Sequence, residues 1–356
     1  MGSGTFSINV GPLTGIGSLS MHVGRRLHEF NFLFRRGSPP DLVWDLSHVE
    51  PRHMSMAGLT AFLALAQRLR QFTGHASPAQ IRWDPDVLAF WDDIGLLDIA
   101  DQHDLFVWPR GVMGGYTRGI GNPYTKILVF AFSDAEVPGV TDPSATEAWK
   151  NWKRDLVQED ISLRCGSLFR HRTGMREFPE RVRVHVAMTT AELVENALLH
   201  GRSPAFVGLQ RSPVGVTATV CDSGCGFRDS IRHRLDQSGD TLVTDMEALL
   251  IGSLINREGF GLRRAIDNVV DRDGWVVLSS FGAEVRWRPR LWAAALRACM
   301  QAGLPWTSSI RSLIQGAEGS TRSVDYSSGY CRQWQHGLRG ARVSFEIPLR
   351  PEHGRE

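Results

Sequence analysis

The segment Glu192-Leu-Val-Glu-Asn196-Ala-Leu-Leu-His200-Gly201 sets Glu192, Asn196 and His200 at i, i+4 and i+8, on one face of a helix expected over 179–199. Leu193, Ala197 and Leu198 occupy the other side, so the helix carries a polar stripe on an apolar body. A carboxylate there can deprotonate a water or a hydroxyl, and an amide oxygen one turn on can complete the oxygen shell of Mg2+. A buried Glu and Asn on one helix are also commonly a self-satisfied polar pair, so the stripe alone decides nothing.

Two further blocks come after it in order. Val220-Cys-Asp222-Ser-Gly224-Cys-Gly226-Phe ends an alternating, β-branched strand over 214–220 with an acid and two spaced glycines. Asp222 can accept a hydrogen bond from an exocyclic amine, while Gly224 and Gly226 let the backbone approach a base or ribose. Glu258-Gly259-Phe-Gly261-Leu262 opens a helix expected over 260–270, and glycines at a helix start expose N–H groups to phosphate.

Three blocks in this order resemble the N-box, G1 box and G2 box of the GHKL ATPases, over roughly residues 145–350. The resemblance implies a Bergerat-fold α/β sandwich that binds ATP with Mg2+ beneath a flexible lid. By position, it makes Glu192 the general base, Asn196 the Mg2+ ligand and Asp222 the acceptor of the adenine amine. Gly224 and Gly226 would form the turn facing the base, and Gly259, Gly261 and Leu262 would lie against the phosphates. His200 closes the N-box as His-Gly, as in anti-sigma-factor kinases, whereas Glu192-Leu-Val-Glu-Asn196 is closer to mismatch-repair ATPases. The lid would run from Arg228 to Glu258, and Arg257 or Arg263 would bring positive charge; a solvated helix end accounts for these arginines equally well. Where the family often has Gly-Thr before its last strand, here Val343–Leu349, this chain has Gly340-Ala341.

Lysine occurs only at positions 126, 150 and 153, preceded by Thr125, Trp149 and Trp152, so no Gly-Lys-Ser/Thr exists and a P-loop is excluded. The 356 residues suggest two domains, and a formal charge of +2 gives no strong nucleic-acid signal. Five cysteines cannot close a complete disulfide set, which fits a reduced, cytoplasmic setting. Cys221 and Cys225 lack further Cys or His ligands nearby in the sequence and read as small packing residues rather than a zinc site. No run reaches the ~18–20 apolar residues of a membrane span, and residues 1–10 lack a signal-peptide layout, so no membrane partner is expected.

Toward the N-terminus, Asp41-Leu-Val-Trp-Asp-Leu46 reads as a buried strand that begins a sheet, and 57–72 as an amphipathic helix. A second unit follows, a strand over 79–83 and a helix over 85–97 that ends near Gly95 or Leu97, and 127–132 reads as one more strand. Asp45-Leu46-Ser47 followed by Gly58-Leu59 resembles STAS domains, the anti-sigma-antagonist fold. That family's phosphorylatable serine would fall just before Gly58, where this chain has Met56 and Ala57, with Ser55 out of register. The resemblance therefore implies a docking module rather than a phosphoacceptor. His28-Glu29-Phe30 superficially resembles a phosphorylated-histidine motif but lacks the proline and downstream helical hairpin.

The expected architecture is thus α+β: a STAS-like α/β domain over 1–142, then a GHKL ATP-binding domain over 143–356 with an insertion at about 287–339 that includes Trp292, Trp306 and Trp334. The insertion reads as extra helical packing or as a partner surface. The implied function is a regulatory Mg-ATP-dependent ATPase or serine/threonine kinase acting on a protein partner. Two alternatives stand beside it: an ATP-driven switch that homodimerises on lid closure, and a nucleotide-binding scaffold without turnover.

Overall fold

The computed structural model describes residues 5–35, 41–50, 54–82, 84–109, 124–131, 143–169, 179–235, 244–254, 262–301 and 331–349. Two sheets are present among the described residues. The first is parallel, with strands β1 (Thr5–Asn9), β2 (Asp41–Asp45), β3 (Ser77–Gln80) and β4 (Phe106–Val107) in sequential order. Between them run α1 (Ile16–Arg35), α2 (Met56–Thr73), α3 (Pro85–Asp93) and α4 (Leu96–Gln102).

Local chemistry sets these boundaries. Ser55 caps α2 by accepting from the Gly58 N–H, and Gly74, at φ 82°, closes it with an N–H to the Arg70 carbonyl. Asp84 caps α3 ahead of Pro85. Of the two ends expected for the helix over 85–97, the one near Gly95 is found: Gly95 adopts φ 85°, a left-handed conformation that breaks the hydrogen-bond ladder, and a second helix, α4, follows at once. The strand read as the start of the sheet, Asp41–Asp45, is preceded by β1, which pairs with it in parallel from Thr5↔Asp41 to Asn9↔Asp45. Trp83, at the end of the strand read over 79–83, lies outside the described residues.

The second sheet is antiparallel, in the order β5 (Thr125–Phe130), β6 (Ala205–Arg211), β7 (Gly215–Asp222), β9 (Cys331–Pro348), β8 (Trp275–Trp287). Over its front face lie α5 (Pro143–Arg164), α6 (Gly166–Phe169), α7 (Glu180–Asn196), α8 (Gly226–Leu235), α9 (Asp245–Leu254), α10 (Leu262–Val270) and α11 (Pro289–Gln301). Strand β6 was not anticipated. All but one of its seven residues are buried, and an apolar strand covered on both faces lacks the alternation that marks a half-buried one.

Strand β5 precedes the expected boundary near residue 142, yet it pairs with β6 from Thr125↔Gln210 to Phe130↔Ala205. The N-terminal helices pack against the back of this second sheet, with α2 on β6 and β7 and α1 on β9. Phe206, Cys221 and Leu338 of the second sheet therefore join the core built by Trp44, Leu59, Phe62 and Leu63 of the first half. The result is a stack of sheet, helices, sheet, helices. Among the described residues no helix is long and apolar enough to cross a membrane.

Two further expectations change. The segment read as a flexible lid contains α8 and α9, and every residue from Met246 to Leu254 is buried. An apolar helix packed on β8 is core, and only residues 236–243 and 255–258 of that stretch lie outside the described set. The expected insertion is partly core as well: Trp292 on α11 stacks edge-on to Trp287 at 5.0 Å and donates its indole N–H to Asp267 at 2.7 Å. Trp306 lies outside the described residues.

Candidate nucleotide-binding site

Helix α7 starts at Glu180 and buries Val182, Val186, Ala191 and Val194 against the front of the second sheet. It ends in a π-helical turn over Ala197–Gly201, after which Arg202 takes a left-handed φ of 50°. The wider turn displaces His200 and Gly201 from where a continuous α-helix would carry them, a distortion often found at functional sites. Strand β7 runs alongside and delivers Asp222 at its C-terminal end.

These elements line an open cleft of about 720 Å3, counting its mouth. Asn196, His200, Asp222, Gly226 and Leu262 all line it, so described residues of all three sequence blocks, spread over 67 positions from Asn196 to Leu262, meet in one place. Apolar walls come from Leu193, Val220, Phe227, Ile231 and Val343.

Asp222 is 3% exposed. Its Oδ1 accepts the N–H groups of Gly224 at 2.8 Å and Ala341 at 3.2 Å. Among the described residues both hydrogen bonds fall on Oδ1, so Oδ2 keeps its acceptor capacity for a donor in the cleft. Burial pushes the Asp222 carboxyl up to about 6, against the pull of the Gly224 and Ala341 N–H groups and of Arg342. Ala341 thus holds Asp222 through its backbone N–H.

Gly224 supports this carboxylate without itself lining the cleft. A Cβ there would sit 2.0 Å from the Gly201 carbonyl oxygen, so only glycine lets the turn after β7 press against the end of the α7 turn. Asn196 lines the cleft with its Nδ2 donating to the Glu192 carbonyl at 2.9 Å, which leaves its side-chain oxygen free for a ligand.

Glu192 stands apart from the lining residues. It is 8% exposed, and its carboxylate lies 3.9 Å from Nη2 of Arg154 on α5. The same nitrogen bonds Glu195 at 2.7 Å. Burial raises the pKa of Glu192, with Arg154, Arg264 and Lys150 opposing it. It pushes Glu195 up to about 7, with Arg154 opposing and Glu192 adding to the rise. Arg154 and Glu195 escaped the sequence reading because α5 and α7 are joined only in space; 41 residues separate the pair.

Arg257, Gly259 and Gly261 lie outside the described residues. Arg263 turns away from the cleft, donating to the Leu254 carbonyl at 3.2 Å and lying 3.6 Å from Asp267. Phe227, Ser230, Ile231 and Gly252 also line the cleft. The first three recur at i, i+3 and i+4 after Gly226, a helical signal obscured by the expectation of a lid. Cys221 is fully buried behind the site against Thr60, whereas Cys225 donates to the His200 carbonyl at 3.2 Å. No protein-family model, curated protein or solved structure matches this chain.

Proposed function

We propose that the cleft binds ATP with Mg2+ in the manner of a GHKL site, and that the protein is a regulatory ATPase or protein kinase whose STAS-like N-terminal half serves as a docking module. The observation that carries this reading is the convergence of Asn196, His200, Asp222, Gly226 and Leu262 on a single cleft. Three of them, Asp222, Asn196 and Leu262, answer different parts of a nucleotide.

Asp222 Oδ2 accepts the exocyclic amine of adenine, with the carboxylate held in place through Oδ1 by two backbone N–H groups. Phe227, Ile231 and Val343 remove water from around the base, which strengthens that polar contact. Asn196 turns its amide oxygen to the cation, and the hydrogen bond from its Nδ2 to Glu192 fixes that direction. Leu262 opens α10, and the N–H groups at that helix start would meet the phosphates. When bound, Mg-ATP supplies the transferable phosphoryl group. Glu192 is the carboxylate that would receive the proton of an attacking hydroxyl, from a partner serine or threonine or from water.

One observation favours a second reading. Glu192 does not line the cleft, which would suit a protein that binds nucleotide without turning it over. Calorimetry with ATP and Mg2+, run beside assays of free phosphate and of labelled protein, tests both. Binding that weakens in Asp222→Asn supports the site. Phosphate release or labelling that depends on Glu192 supports the enzyme, and binding with neither supports the scaffold. An affinity unchanged in Asp222→Asn would place the base elsewhere.

A further inference from the structure

We infer that Arg154 is a positioning residue for Glu192: anchored on Glu195, its guanidinium sets whether the Glu192 carboxylate is turned to helix α5 or to the cleft. This rests on the reading of the cleft as an ATP site and adds to it a means of regulation, through α5.

The geometry is that of one cation between two buried acids. Glu195 is 3% exposed and Glu192 8%, both on α7 and three residues apart, so both carboxylates reach the same flank of the helix. Nη2 of Arg154 makes a charge-assisted hydrogen bond to Glu195 at 2.7 Å and approaches Glu192 only to 3.9 Å. The guanidinium is therefore fixed by Glu195 and offers Glu192 attraction without a bond. Its Nε is buried and has no hydrogen-bond partner among the described residues, so the fork still has a donor to give.

The surroundings leave Glu192 few other options. Lys150 and Glu147 of α5 and Arg264 of α10 act on it from farther off, while the strands beneath α7 contribute apolar side chains such as Val207, Ala218 and Val220. A shift of α5 along α7 would move Arg154 and, with it, the charge that holds Glu192. Only one of the two acids lies four residues from Asn196 and points its backbone carbonyl at that side chain, so a change at Glu192 is felt at the cleft.

Two variants that keep the local shape test this. Glu195→Gln removes the anchoring charge and lets Arg154 fall onto Glu192; Arg154→Lys keeps the charge and loses the fork. Each should slow phosphate release or protein labelling by on the order of tenfold to a hundredfold while ATP affinity stays within about twofold, because positioning acts on the reaction and not on the base. The double variant should be no slower than the slower single. In nucleotide-free protein, the side-chain nitrogen resonances of Arg154 should move on Glu192→Gln as well as on Glu195→Gln. Resonances that answer to Glu195→Gln alone overturn the proposal, as does turnover at the unmodified rate in both folded single variants. ATP affinity that falls in step with turnover also overturns it, since it would make the cluster a packing element. Unmodified protein that binds no ATP would instead overturn the reading of the cleft, and the proposal with it.

Discussion

Gly224 presses so closely on Gly201 that a Cβ at 224 would lie 2.0 Å from the Gly201 carbonyl oxygen. This contact joins the turn after β7 to the end of the α7 π-turn, and Asp222 and His200 both line the cleft beside it. Gly224→Ala must displace backbone rather than a mobile side chain, a cost on the order of 1–3 kcal/mol. The variant should melt earlier by calorimetry and lose most of its ATP affinity. Unchanged affinity in a folded Gly224→Ala protein would show that the turn does not shape the site.

Asp222 gives a pH test with a definite sign. Its folded-state pKa is raised to about 6 from 3.8, so the folded protein holds this proton at pH values where the unfolded chain has released it. The stability it contributes is complete below about pH 4 and is lost as pH rises through about 6. Asp222→Asn carries no charge to bury and keeps an oxygen for the Gly224 and Ala341 N–H groups. Its unfolding free energy relative to the unmodified protein should therefore improve between pH 4 and pH 7, by on the order of 1–3 kcal/mol. A difference that stays flat over that range would mean the carboxylate is not desolvated. ATP affinity should move the other way, falling about tenfold or more in the variant, since an amide presents a donor where the adenine amine needs an acceptor.

Phe206 lies on the second sheet but is fully buried in the core of the first half, with the His103 ring edge-on at 5.9 Å. Phe206→Ala should cost on the order of 3–5 kcal/mol. Because the same side chain holds both halves, the chain should unfold in one calorimetric transition before and after the change. Two resolved transitions in the unmodified protein would contradict a shared core.

Trp292 makes a similar case for α11. It is 3% exposed, packs on Trp287 and donates to Asp267. Trp292→Ala should destabilise by on the order of 3–5 kcal/mol, and Asp267→Asn by about 1 kcal/mol, since its amide oxygen still accepts the indole N–H. A neutral Trp292→Ala would return this segment to the status of a surface appendage.

Much of the molecule was readable from local chemistry. The strand and helix over Asp41–Asp45 and Met56–Thr73 fall within a residue or two of their expected bounds, because a capping Ser55, a terminal Gly74 and an apolar period of 3.6 all act within a few residues. The sequence offers Gly95 as one of two ends for the helix that starts at Pro85, but that a second helix begins directly after it, at Leu96, is not legible, because the outcome depends on where the next residues pack. Here Leu96, Leu97 and Ile99 are buried in the N-terminal core only after the chain changes direction.

Asn196, His200, Asp222 and Gly226 were legible as polar or glycine positions at a helix or strand end, and Leu262 only through the family resemblance; the folded chain brings all five to one cleft. The roles of Arg154, Glu195 and Ala341 were not legible. Arg154 reaches Glu195 across 41 residues, and Ala341 reaches Asp222 across 119, through a backbone N–H that every residue but proline carries. The same division holds for the architecture. Hydrophobic period and turn chemistry specify an element, since they act along the chain. Which sheet receives β5, and that α2 is clamped between two sheets rather than exposed as a separate module's surface, depend on apolar faces finding one another across long stretches of chain. Burial is non-directional and leaves no mark on residue order, so only the folded chain decides it.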